Sequence, residues 1–439
     1  MPTETATASA DERFGWRHLL QKKVLVILLL GFSSGLPFPL VYSTLSAWLA
    51  DAGVQLSTVS TFAWLGFAYS FKFVWAPLVD SVRLPLLTPL LGRRRGWMLF
   101  AQLAICASLV ALSGMDPRAN IEAFAIVAAA VALSSATQDI VIDAYRIECA
   151  EDRMQGVLAA AYQYGYRTAM LVSGAVAMAI ADRAPWSVAY MAMAGCALVG
   201  IVTTLWCSEP EAQIRRSAAA GANAVQRIAA WFGHAVIEPF VDFIRRFGRY
   251  AIVLLLFISL YRLSDYVLGI LANPFYLDIG YTKTQVAVIA KGYGLWVGLL
   301  GIGLGGWGVI RFGIARCLVI ATILIASTNL FFAAMVIVGP EPWMLAVTIS
   351  ADNIAQGFSG TVLIAYLSSL TNLSFTATQY ALLSSFMSIL GKFSAGYSGD
   401  VQESIGWLGF FLYAAALGVP AILLALLVAR RHDRLVGRQ

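Results

Sequence analysis

Val24-Leu-Val-Ile-Leu-Leu-Leu-Gly31-Phe-Ser-Ser-Gly35-Leu-Pro37-Phe-Pro39-Leu-Val-Tyr-Ser-Thr-Leu-Ser-Ala-Trp-Leu-Ala50 runs for 27 residues without a charge. A helix needs about 20 apolar residues to cross a bilayer, and the apolar core of a cleavable signal peptide is only about 7–15 residues long. The stretch therefore predicts a first membrane span, preceded by a polar tail, Met1–Lys23. The rest of the chain has the same character. Of its 439 residues, 59% are hydrophobic and 12% charged, and the mean hydropathy is +0.76. Soluble domains carry about 25% charged residues, so a soluble enzyme, a disordered tail and a nucleic-acid binder are excluded as the main reading. The five cysteines are odd in number and include no Cys-x-x-Cys pair, which indicates neither a disulfide framework nor a zinc site.

Eleven further apolar segments follow, giving twelve candidate spans: 24–50, 57–79, 96–115, 120–146, 156–181, 187–207, 251–272, 284–306, 314–338, 343–367, 379–398 and 406–429. Lys and Arg set orientation, because positive loops stay in the cytoplasm. With the N-terminus inside, the basic clusters at residues 13–23, 83–95, 146–153, 215–249, 311–316 and 430–438 all share one side, while only Arg118, Arg183 and Lys283 fall on the other. An even number of spans with both termini cytoplasmic follows. The longest interruption, Ser208–Tyr250, ends in a stretch from Val225 to Phe247 whose apolar residues are set among arginines. It reads either as an interfacial amphipathic helix or as a linker helix packed on the two halves. The expected organisation is a cytoplasmic tail (1–23), a six-helix bundle (24–207), a cytoplasmic linker (208–250), a second six-helix bundle (251–429) and a short tail (430–439).

This all-α polytopic layout, six helices, a linker and six more, resembles the major facilitator superfamily, in which two halves enclose a central substrate site. The loop after the second span adds to the resemblance. Pro77-Leu-Val-Asp80 is followed by Gly92-Arg93-Arg94-Arg95-Gly96, an acid and then a Gly-Arg stretch, with an insertion between them. An acid there can pair with basic residues on neighbouring helix ends and latch one conformation, so Asp80, Arg93 and Arg94 are gating candidates. Plain positive-inside anchoring is the competing explanation. The matching loop in the second half keeps its glycines and Arg311 but has no acid.

Nine ionisable residues fall well within spans: Lys72, Asp139, Asp143, Arg167, Arg262, Asp265, Lys291, Asp352 and Lys392. Each costs at least about 2.5–3.5 kcal/mol at a helix centre in lipid, so together they require an interior lining of mixed charge. Asp139, Asp143 and Arg146 recur at i, i+4, i+7 and share a helix face, with Gln138 on the adjoining one. Gln163 and Arg167 share a face, Arg262 and Asp265 are spaced to pair, and Asp352, Asn353 and Gln356 cluster. Polar groups come from both halves, as a central site requires. Simpler roles compete: snorkelling for Lys72 and Lys392, a gate ion pair for Asp143 and Arg146, a structural pair for Arg262 and Asp265. The histidines (His18, His234 and His432) all lie in predicted cytoplasmic segments, so an intramembrane histidine relay is excluded. Proton coupling falls to carboxylates, Asp139 first and then Asp143, Asp265 and Asp352. The glycine run Gly301–Gly306 sits inside an apolar helix and lacks the strand-and-helix context of a nucleotide loop.

Several strings resemble the AmpG-type muropeptide permeases: Gly31-Phe-Ser-Ser-Gly-Leu-Pro37, Phe71-Lys72-Phe-Val-Trp75-Ala-Pro77, Gly92-Arg-Arg-Arg-Gly-Trp97, Ser134-Ser-Ala-Thr-Gln138-Asp139-Ile-Val-Ile-Asp143, Tyr261-Arg-Leu-Ser-Asp265 and Phe375-Thr-Ala-Thr-Gln379. The resemblance runs from about Leu25 to Leu427. It implies a monomeric, multi-pass importer of the bacterial inner membrane that takes up peptidoglycan fragments, N-acetylglucosaminyl-1,6-anhydro-N-acetylmuramic acid with or without stem peptide. Energy comes from the proton gradient and no cofactor is needed; the roles are cell-wall recycling and, in some bacteria, β-lactamase induction. By matching string, Gly31, Ala136 and Gln138 fall in the family's substrate-path motifs, and Asp139 and Asp143 in its acidic pair. Longer members carry extra apolar segments beyond the twelfth span, and relatives in the wider group include acetyl-CoA and siderophore permeases. The residue chemistry agrees in kind: Lys72, Arg167, Arg262, Lys291 and Lys392 suit carboxylates, and Gln138, Gln163, Asn353 and Gln356 suit amides and hydroxyls. Competing classes are a permease for another bulky anion, an intramembrane enzyme and a non-transporting sensor. No His- or Asp-rich interfacial motif supports the enzyme.

Overall fold

The structure, a computed structural model, describes residues 21–150, 154–210 and 233–436. Most of the expected tail 1–23, the first part of the amphipathic stretch (Val225, Ile228, Trp231 and Phe232) and His18 lie outside the described residues. Within them the chain is helical throughout, with no strand. Thirteen helices carry the description. They are α1 (Lys22–Gly35), α2 (Arg93–Ser113), α3 (Ile121–Glu148), α4 (Gln155–Leu171), α5 (Trp186–Trp206), α6 (Glu238–Phe247), α7 (Tyr250–Leu260), α8 (Leu263–Asp278), α9 (Gly294–Phe312), α10 (Ile314–Val338), α11 (Pro342–Leu370), α12 (Thr376–Ala395) and α13 (Ser398–Val436).

Every expected span falls on helix, but not every one is a straight apolar rod. Eight helical segments among the described residues are long and apolar enough to cross a membrane, and a ninth is counted if α11 and the Leu373–Ala395 segment, bent by 101°, form one span. The segments that fall short have physical reasons. Residues 56–81 break into short α-turns separated by 3₁₀-turns at Phe62–Gly66 and Lys72–Val74. Gly66 leaves a gap that the Tyr42 hydroxyl fills, and Pro77 opens the last turn, Ala76–Ser81. The fifth expected span, α4 with a π-turn at Val172–Val176, carries Gln155, Gln163, Arg167 and three tyrosines, so it is polar along one side. The first span kinks at Tyr42, beyond Pro37 and Pro39, and α13 kinks at Gly406, whose φ is +69°.

In the first half α1 packs along α4, and α2 sits between α3 and α5; in the second half α9 packs on α11, and α10 lies between α11 and α13. The halves meet where α4 touches α9 and α11, and where α12 touches α3 and the Lys72–Ser81 turns. Glycines make the closest approaches. A Cβ on Gly31 would lie 2.3 Å from the Tyr162 carbonyl oxygen, and one on Gly165 would lie 1.9 Å from that of Leu28. The α9 glycines predicted not to bind nucleotide serve the same purpose: a Cβ on Gly301 would meet the Ile354 backbone at 2.6 Å, and one on Gly306 the Ala160 Cβ at 2.9 Å. Backbone cannot move aside as a flexible side chain does. Gly165→Val is therefore expected to destabilise the protein by at least the about 1–3 kcal/mol of an overpacked core, read as a lower melting temperature in detergent. An unchanged melting curve would show that α1 and α4 are not packed this closely.

The linker helix α6 lies on the second bundle. Phe243 and Phe247 are buried in its core, and Asp242 and Arg246 reach the bend between α11 and α12: Gln379 donates to Asp242 (2.8 Å), and Arg246 donates to the Leu370 carbonyl (3.1 Å) and to Gln379 Oε1 (2.9 Å).

Candidate functional site

On α1, Ser33 and Ser34 are successive residues, so their hydroxyls diverge to different partners on α3. Ser33 donates to Gln138 Oε1 at 2.9 Å, and Gln138 Nε2 donates back to the Ser33 carbonyl at 2.8 Å. Ser34 bonds the Asp139 carboxylate and also lies 2.8 Å from the Tyr162 hydroxyl on α4. One turn further along α3, Asp143 lies 3.6 Å from Lys72 Nζ and 3.6 Å from Arg146 Nη2. The 3₁₀-turn at residues 72–74 is what brings the Lys72 ammonium in. Arg146 is fully buried, and it crosses to the second half by donating to Ser368 Oγ at 2.9 Å and lying over the Tyr380 ring at 5.3 Å.

The second half mirrors this with fewer partners. Arg262 donates to Asp265 at 3.1 Å, and Gln356 donates to Asp352 at 3.0 Å. Arg262 and Asp265 lie within electrostatic range of Asp352. Across the seam Arg262 also lies within electrostatic range of Arg167 on α4. Arg167 is solvent-accessible although protein crowds it, and no carboxylate among the described residues lies within 4.0 Å of it. Two guanidiniums from opposite halves thus lie in range of one another: Arg262 is paired to Asp265 and near Asp352, while Arg167 has no carboxylate partner among the described residues. The unpaired, accessible Arg167 guanidinium suits an anionic group of a solute. Four carboxylates therefore fall into two kinds. Asp143 and Asp265 are held by cations, whereas Asp139 and Asp352 bond neutral partners and have no Lys or Arg within 4.0 Å among the described residues.

The other expected residues divide as follows. Gln163 packs against Gly360 across the seam, where a Cβ would meet its Nε2 at 2.5 Å. Lys392 donates to Ser70 Oγ at 2.6 Å, joining the halves rather than snorkelling. Lys291 is exposed and, among the described residues, unpaired. Asn353 caps no cavity; it donates to the Ile349 carbonyl and packs on Gly294. Gly31, Ala136 and Gln138 are buried between helices, Gly31 against the Tyr162 backbone and Gln138 bonded to Ser33.

At one end of the seam the gating residues form a closed network. Asp80 Oδ1 accepts from Arg94 Nη2 at 2.8 Å, and its Oδ2 accepts from the Thr378 backbone N–H (2.8 Å) and hydroxyl (2.7 Å) at the start of α12. Arg94 also makes two bonds to Glu148 (3.0 and 2.5 Å), and Arg93 donates to the Asp80 carbonyl at 2.8 Å. Glu209 accepts from the Arg94 and Arg95 backbone N–H groups, capping α2. Toward the opposite end, beyond Lys392 and Ser70, no hydrogen bond or ion pair joins the halves among the described residues. Composition and spacing pointed to neither Glu148, Glu209, Thr378, Ser34 nor Ser368. The signal for Glu148 and Glu209 was available: an acid at each helix end facing the three arginines 93–95.

Residues 23–192 match the family described as Acetyl-coenzyme A transporter 1. A putative transporter AmpG 4 of Rickettsia conorii is 33% identical over 398 residues, covering 90% of this chain and 94% of that one. The chain belongs to the AmpG transporter family. The anhydromuropeptide permease of Escherichia coli K12 is 33% identical over 417 residues, 94% of this chain and 81% of that protein. The fold of this AmpG-family member is that of the major facilitator superfamily: the proton:xylose symporter XylE superposes with a TM-score of 0.63 at 13% identity, covering 91% of this chain and 93% of that one. As a member it is a multi-pass protein of the bacterial inner membrane.

Proposed function

We propose that this AmpG-family protein imports anhydromuropeptides, GlcNAc-1,6-anhydroMurNAc with or without stem peptide, together with protons, by alternating access. In this reading twelve segments span the membrane, both termini are cytoplasmic, and the closed end at Asp80 and Arg94 is the cytoplasmic one. The substrate enters from the periplasm. Arg167 and Arg262 take its carboxylates; Gln356, Asn353 and Gln163 meet amides and hydroxyls as the halves rearrange. Asp139 takes the proton. The observation that carries the proposal is an accessible Arg167 in range of Arg262 of the other half, together with an Asp139 that bonds Ser34 and has no Lys or Arg within 4.0 Å among the described residues. A muropeptide offers several carboxylates to the pair, and a proton that neutralises Asp139 changes the charge of the same interior.

A second reading, export or import of a coenzyme A thioester, is favoured by the family match over residues 23–192. Both solutes are bulky anions, so the cation pair does not separate them. Purified protein in proteoliposomes with an acidic exterior is expected to accumulate labelled anhydromuropeptide, and a protonophore is expected to abolish the accumulation. Excess acetyl-coenzyme A is expected not to compete. Folded protein that shows no gradient-driven uptake overturns proton-coupled import; full competition by acetyl-coenzyme A moves the assignment to the second reading.

A further inference from the structure

Some arginines on the face that closes the seam are spent on the protein itself, and others among the described residues are exposed and pair with no carboxylate. Arg93, Arg94 and Arg146 serve the network above, Arg95 donates to the Thr204 and Leu205 carbonyls, and Arg246 holds Asp242. Four others stand out. Arg245, Arg249, Arg430 and Arg431 are exposed, and no carboxylate among the described residues pairs with any of them.

They converge on one place. Gly248, at φ +55°, turns the chain sharply from α6 into α7, so Arg249 sits at the N-terminal cap of α7 and Arg245 one turn earlier on α6. The Arg431 guanidinium lies 5.4 Å above the Tyr250 ring, and the Tyr250 hydroxyl donates to the Leu427 carbonyl at 3.0 Å. The start of α7 and the end of α13 are thereby tied together, with Arg249 and Arg431 on either side of one tyrosine.

Beneath the charges the surface is apolar. On α7, Ile252 and Leu256 are 65% and 51% exposed; on α13, Leu423 and Leu427 are 58% and 51% exposed. Each pair is spaced i, i+4, so each lies on one helix face, and Leu427 adjoins Tyr250. The N-terminal end of α7 adds its own partial positive charge. A soluble anion uses the arginines and leaves the apolar stripe idle; a neutral lipid does the reverse. Only an anionic amphiphile satisfies both.

We infer that the joined ends of α7 and α13 hold an anionic phospholipid of the surrounding bilayer, with its phosphate on Arg249 and Arg431 and its acyl chains along Ile252, Leu256, Leu423 and Leu427. Arg245 and Arg430 widen the positive field around the headgroup. The site is remote from Arg167 and Asp139, so it stands or falls independently of the transported solute.

Native mass spectrometry of the full chain in detergent tests it. Phosphatidylglycerol is expected to be retained roughly tenfold more than phosphatidylcholine at equal concentration, and Arg249→Gln with Arg431→Gln is expected to bring it down to the phosphatidylcholine level. Arg118→Gln with Arg183→Gln, exposed arginines away from this place, is expected to change nothing. If the double variant does not fold, Arg431→Gln alone replaces it, since that side chain lies over the Tyr250 ring at the exposed surface, and it is expected to lower retention severalfold. Equal retention of the two lipids, or unchanged retention in the variant, overturns the site. So does displacement of the lipid by excess soluble glycerol phosphate, which would assign the arginines to a free phosphate.

Discussion

Asp139→Asn is expected to abolish uphill uptake while leaving downhill exchange of substrate intact. Asparagine keeps the size of the side chain and an oxygen that accepts from Ser34, but it binds no proton at any accessible pH. Each unit of imposed pH difference is worth about 1.4 kcal/mol per proton, so one coupled proton supports about tenfold accumulation per unit. The variant's accumulation ratio should fall to one in proteoliposomes with an acidic exterior, while labelled substrate still exchanges with unlabelled substrate at equal pH. The choice among four carboxylates rests on their partners. Asp143 is held by Lys72 and Arg146, and Asp265 by Arg262, so a proton bound there would disturb an ion pair. Among the described residues Asp139 bonds Ser34 and Asp352 bonds Gln356, and neither has a Lys or Arg within 4.0 Å. Retained, protonophore-sensitive accumulation in Asp139→Asn removes Asp139 from the role, and Asp352→Asn is then the variant to lose it.

The difference between what could and could not be read from the chain follows the range of the interactions. The helical, membrane-crossing character was legible because a bilayer requires long apolar runs; among the described residues eight helical segments, or nine with the bent pair, meet that requirement. The pairing of Arg262 with Asp265 and the shared face of Asp139, Asp143 and Arg146 were legible because helical spacing fixes them locally. Breaks at residues 56–81 were not, because the Tyr42 hydroxyl that fills the gap at Gly66 comes from another span. The roles of Gly31, Ala136 and Gln138 were equally hidden. A matching string places a residue in a motif, but only the approach of α1 to α4 shows that Gly31 admits the Tyr162 backbone. Lys392 illustrates the same limit: it was expected to meet carboxylates, with snorkelling as the competing role, while its partner Ser70 is 322 residues away. Ser34 went unnoticed because serine is common in membrane helices and only the partner carboxylate gives it meaning.

Asp80→Ala is expected to open the closed end of the seam, and Arg94→Ala to do the same. Both side chains are only 1% exposed. Removing one partner of a buried pair costs about 3–5 kcal/mol, because the other charge stays buried without compensation. Here the loss is shared across the halves, since Asp80 also accepts from the Thr378 backbone and hydroxyl. The penalty falls on the conformation in which α12 abuts the Ala76–Ser81 turn and is relieved where the two separate. A shift of about 5.5 kcal/mol turns a 99:1 population into 1:99, so a loss of this size takes a large part of the molecules out of the closed state. Spin labels placed on the turn after Ser81 and on the exposed Leu373 should report a longer distance in both variants, and gradient-driven uptake should fall at least tenfold. Because the two side chains share the Asp80–Arg94 bond, the double variant should cost less than the sum of the singles. Additive effects, or an unchanged distance, would mean that Asp80 and Arg94 merely anchor the loop. Thr378→Val supplies the decisive comparison: it removes the hydroxyl across the seam but leaves the Asp80–Arg94 pair intact, so it should loosen the closed end without the full loss, and a variant as severe as Asp80→Ala would place the latch in the contact between halves rather than in the ion pair.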